Sequence, residues 1–90
     1  MAAITPEEWK ARIAGYFKHL EEKGGPGTVK SGYLLDMRVF MRDLSRENRE
    51  TLDLAVDELA QSGLVERRTT HNVIINYNIV VTGAGIGKFI

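Results

Sequence analysis

The stretch Leu52-Asp53-Leu54-Ala55-Val56-Asp57-Glu58-Leu59-Ala60-Gln61-Ser62-Gly63-Leu64-Val65 changes its repeat at Gly63. Before the glycine, Leu52, Ala55, Val56 and Leu59 recur at spacings of three and four, which places them on one face of an α-helix. After it, the period falls to two: Leu64 to Thr69 form one short run. Then Val73, Ile75, Tyr77, Ile79 and Val81 alternate with Ile74, Asn76, Asn78, Val80 and Thr82. Glycine is the residue that most readily ends a helix in the left-handed conformation. The pattern therefore predicts a helix over 45–62 with Ser45 as its N-cap. A two-stranded hairpin follows, with its odd-numbered apolar residues facing the core and Thr70-His71-Asn72 at its tip.

Upstream, Ser31 reads as the cap of another helix, in which Tyr33, Met37, Phe40, Met41 and Leu44 share a face that Leu34, Leu35 and Val39 widen. The extended segment Thr28-Val29-Lys30 precedes it. The first helix is predicted over 6–23. Thr5-Pro6-Glu7-Glu8 is a capping box with proline at the first helical position, and Ile4 and Trp9 occupy the two places of a hydrophobic staple. Trp9, Ile13, Tyr16, Phe17 and Leu20 form its apolar face, and Gly24-Gly25-Pro26-Gly27 ends it. The aromatic spacing of that face marks core packing rather than a docking surface. Downstream, Gly83-Ala84-Gly85-Ile86-Gly87-Lys88-Phe89-Ile90 is too rich in glycine to be read as a helix. These elements define an α+β class, a three-helix core with a small antiparallel β-wing, as a single domain over 1–90.

Helix, short strand, two helices and a hairpin is an order that resembles the winged helix-turn-helix superfamily. Leu59 and Gly63-Leu64-Val65 match the Leu-x-x-x-Gly-Leu-Val with which its third helix commonly closes. Val81-Thr82-Gly83-Ala84-Gly85 looks like the segment that ends the last wing strand. The resemblance implies double-stranded DNA as partner, a role in transcription regulation, and entry of the third helix's N-terminal half into the major groove. By position it assigns Ser45, Arg46, Asn48, Arg49 and Thr51 to the base-facing surface. Arg67, Arg68, Thr70, His71 and Asn72 of the wing fall against the phosphates. Arginine reads guanine and asparagine reads adenine through paired hydrogen bonds, so the residue types suit that task. It also leaves room for a homodimer, with the first helix or the C-terminal tail as interface.

Charge points to the alternative, a protein–protein adaptor on the same scaffold. Twelve basic residues balance twelve acidic ones over 90 residues, whereas DNA-binding domains draw much of their affinity from excess positive charge. Between Ser45 and Ser62 two arginines stand against Glu47, Glu50, Asp53, Asp57 and Glu58. A positive surface joining Arg46, Arg49, Arg67 and Arg68 would favour the DNA reading. Other classes are excluded more simply. There is no cysteine, and His19 and His71 have no ligand pattern around them, so neither metal nor cofactor is expected. The segment 82–89 lacks the first glycine and the Ser/Thr of a phosphate loop, and Gly83, Gly85 and Gly87 miss the dinucleotide spacing. No grouping of nucleophile, base and acid suggests an enzyme. No apolar run is long enough to span a membrane and no signal peptide is evident, so the expected location is cytoplasmic.

Overall fold

A computed structural model describes residues 3–42, 44–68 and 78–90. Helix α1 (Pro6–Gly24) starts as its capping box dictates, with the Thr5 hydroxyl accepting from Glu8 N at 3.1 Å. A short strand β1 (Leu34–Asp36) and a 3-10 turn (Met37–Phe40) lead to α2 (Arg46–Gln61). Then come β2 (Val65–Arg68), β3 (Asn78–Val81) and α3 (Gly83–Phe89). The three strands form one antiparallel sheet in the order β1-β3-β2. Among the described residues no helix is long and apolar enough to cross a membrane.

α2 begins and ends where its sequence says. Ser45 Oγ accepts from Asn48 N at the start. At the end Gly63, at φ 77°, lets its own N–H reach Ala60 O while Leu64 N–H reaches Leu59 O. That pair of bonds satisfies the last carbonyls of the helix. The buried face is Leu52, Ala55, Val56 and Leu59, and it meets Trp9, Ile13 and Phe17 of α1 in a single core.

The helix expected from Ser31 does not form. Its place is taken by β1 and the 3-10 turn, for two local reasons. Gly32 adopts φ 90° and its N–H bonds to Val81 O at 2.8 Å, committing the chain to the sheet. Asp36 then accepts from Arg38 N, a side-chain turn that competes with helix propagation. Most of the apolar residues keep their role on a different backbone: Leu35 and Met37 are in the core and Tyr33, Phe40, Met41 and Leu44 pack against it, whereas Leu34 and Val39 point into solvent. Thr28-Val29-Lys30, short enough for only an edge strand or an extended linker, is a linker. Val29 is buried by a loop that Glu21 closes, its two carboxylate oxygens accepting from Gly27 N and Val29 N.

Both Ile79 and Val81 face the core as the alternation predicts, but Val80 is buried as well. As the middle strand, β3 has Val80 between Leu34 and Glu66 of its two neighbours, whose side chains flank it on the same face of the sheet. The hairpin tip Thr70-His71-Asn72 lies outside the described residues.

The glycine-rich tail is a helix, against expectation, because two of its residues lock it to the sheet. Thr82 Oγ1 caps α3 by accepting from Gly85 N, while its own hydroxyl donates to Gly63 O at 2.6 Å. Gly85 is buried so closely against β2's entry that a methyl group there would overlap the Leu64 carbonyl oxygen and come within 2.7 Å of Val81 Cγ2. Glycine at this position permits the docking that its weak helix propensity opposes. Phe89 then stacks on Phe17 with ring centroids 5.6 Å apart.

Two outcomes follow. Gly85→Ala is expected to destabilise the domain by about 1–3 kcal/mol, through overlap with backbone that cannot yield. Gly87→Ala, with open space around it, is expected to stabilise by about 0.4–1 kcal/mol. Paired denaturant melts check this, and equal effects of the two substitutions would contradict the docking described. Hydrogen bonds from Val29 N and Gly27 N also hold the Glu21 carboxyl below its usual pKa. The stability it lends is complete above the unfolded carboxyl's pKa and is lost as pH falls through the lowered folded value. The stability gap between wild type and Glu21→Gln should therefore shrink in acid. A gap unchanged between neutral pH and acid would disprove the clamp.

Candidate interaction surface

The sequence places five candidate residues on the N-terminal half of α2, and the fold divides them. α1 crosses this end of α2 with Trp9 buried between them, and the indole N–H donates to Thr51 Oγ1 at 2.9 Å. That hydroxyl in turn donates to Asn48 O. Asn48 Oδ1 accepts from Ile4 N at 2.7 Å, tying the segment before α1 to α2. Ser45 caps the helix. Asn48 and Thr51 are thus half-buried structural contacts, while Ser45, Arg46 and Arg49 are exposed, Ser45 with its hydroxyl engaged in the cap.

Opposite the buried stripe, α2 exposes Glu47, Glu50, Leu54, Asp57 and Gln61. Arg46 lies on the same side, its side chain 91% exposed and 3.5 Å from Glu50. Leu54 is 52% exposed, an apolar side chain set among carboxylates. Its signal is present in the sequence, since a leucine out of phase with Leu52, Ala55, Val56 and Leu59 must point away from the core.

The two wing arginines that are described do not extend a positive surface. Arg67 is on the sheet face toward α2, bonding to Asp57 Oδ1 at 2.9 Å and to Asp53 O at 3.1 Å. Arg68 is exposed with Glu66 at 4.0 Å on the same strand. Thr70, His71 and Asn72 fall outside the described residues. Ahead of α2, Arg38 chelates Asp36 through two nitrogens and holds that carboxyl below its ordinary pKa. Arg42, which sequence reasoning did not single out, is exposed near Arg46 in the chain; Arg42 and Arg49 pair with no acid among the described residues. No group of three potential metal ligands occurs among the described residues.

Comparison with family models, with curated proteins and with solved structures finds no match to this chain.

The division of α2 can be tested through stability. Asn48→Ala is expected to cost about 0.5–1.5 kcal/mol by removing the acceptor of Ile4 N–H. Arg49→Ala, at an exposed position, should change stability by less than about 0.5 kcal/mol. Thermal or denaturant melts compare them. If Asn48→Ala were silent, its side chain would be available to an external ligand instead.

Proposed function

We propose that this domain is a protein-interaction module on a winged-helix layout, with the outward face of α2 as its contact surface. The layout is supported by the element order and by the sheet order β1-β3-β2, with the 3-10 turn standing where the superfamily it resembles has a second helix. The observation that carries the function is the composition of the outward face: it exposes Leu54 with Glu47, Glu50 and Asp57, of which Glu50 lies 3.5 Å from Arg46 and Asp57 is bonded by Arg67. In the DNA-reading arrangement that face enters the major groove, where carboxylates are repelled by phosphates. A protein partner accepts the same face, with the leucine as an apolar contact inside a charged rim.

A second reading, a small DNA-binding transcriptional regulator, is favoured by the exposed arginines Arg42, Arg46 and Arg49 around the start of α2. A single titration separates the two. Labelled random-sequence duplex at low ionic strength, where electrostatic binding is strongest, is expected to show no complex with the folded domain. A photoreactive side chain at position 54 should then crosslink to protein far more than the same group at Lys18, exposed on α1. Duplex binding that weakens with salt and falls in Arg42→Ala and Arg49→Ala would overturn the interaction module and establish the DNA reading.

A further inference from the structure

A groove of about 310 Å3 runs between α1, the C-terminal half of α2 and α3, at the other end of α2 from its arginines. Its floor is apolar, formed by Ala11, Ala14, Leu59, Leu64 and Phe89. The hollow exists because α1 carries alanine twice on this side, and because the stack on Phe17 holds Phe89 as the far wall. Its volume is at the lower end of the range for small-molecule sites.

The rim decides what could enter. Lys10 donates to Glu58 and lies 3.7 Å from Glu7, so these charges answer one another within the protein. Two rim groups, both on exposed residues, have no protein partner among the described residues: the Lys88 ammonium has no acid and the Ser62 hydroxyl no acceptor. Both are hydrogen-bond donors, and one is a cation. An apolar floor next to two unpaired donors complements a molecule with a hydrocarbon body and a compact anionic head.

We infer that the groove binds a small amphipathic carboxylate, its alkyl chain over Ala11, Ala14 and Phe89 and its head at Lys88 and Ser62. This site stands apart from the α2 face and does not depend on the interaction proposed there.

Octanoate is the probe, followed by amide shifts of the 15N-labelled protein. Octylammonium supplies the same chain with the opposite head, and acetate the head alone. Octanoate should give saturable shifts at Ala11, Ala14, Ser62, Leu64 and Lys88. Octylammonium should bind about tenfold or more weakly, since discrimination rests on the charge at the rim, and acetate should give no shifts. Lys88→Gln should weaken octanoate and, by removing the repelling cation, narrow or abolish the gap between octanoate and octylammonium. Ala14→Leu, which fills the hollow, should abolish octanoate shifts; if that variant fails to fold, Lys88→Gln alone decides. Absence of saturable shifts, equal affinity for the two heads, or shifts spread over exposed Leu34 and Leu54 would each overturn the inference.

Discussion

The burial of Trp9 between α1 and α2 sets the rotation of α2 about its own axis. A fully enclosed indole must give its N–H an acceptor, and Thr51 supplies it. Once Thr51 faces α1, the spacing of 3.6 residues per turn fixes every other side chain of α2. Leu52, Ala55, Val56 and Leu59 turn into the core, Asn48 meets the chain at Ile4, and Glu47, Glu50, Leu54 and Asp57 are left outside. The chemistry of the exposed surface therefore follows from the half-buried Trp9–Thr51 hydrogen bond and the packing around it.

A second constraint ties the far end of the molecule to the same helix. The turn at Gly63 that ends α2 offers carbonyl oxygens to Thr82, and Thr82 caps α3. Gly85 lets α3 sit directly on the backbone at Leu64, and Phe89 closes the core against Phe17. The groove between α1, α2 and α3 owes its depth to this docking, so the loop after α2 shapes it from a distance. Arg67, reaching from β2 to Asp57, adds a polar tie across the same helix.

Elements announced by local chemistry were legible in the sequence. α1 has its capping box and glycine stop, and α2 has Ser45 and Gly63, so both could be placed within a residue or two. The segment from Ser31 to Leu44 was misread because its apolar spacing suits a helix, while the strand it forms depends on β3, more than forty residues away. Helical periodicity in that segment identifies the burial of Leu35 and Met37 but not the exposure of Leu34 and Val39, and it gives the wrong backbone conformation. The tail failed for the opposite reason: propensity counts glycine against a helix, but the need for a close approach at Gly85 is visible only once Leu64 is in place. Candidate DNA contacts on α2 were assigned by position along the chain, which cannot tell that Asn48 and Thr51 turn toward α1.

If the roll of α2 is correct, its N-terminal half offers arginines at one edge and carboxylates around Leu54 on its outward face, and its uncharged polar residues serve the fold. The exchange rate of the Trp9 indole proton, followed by NMR in deuterated solvent, tests this most directly. A bond to Thr51 inside the α1–α2 contact predicts exchange slowed on the order of 100-fold or more relative to free indole. Exchange at the rate of free indole would mean that Trp9 does not engage Thr51, that α2 presents a different face, and that the assignment of its surface is wrong.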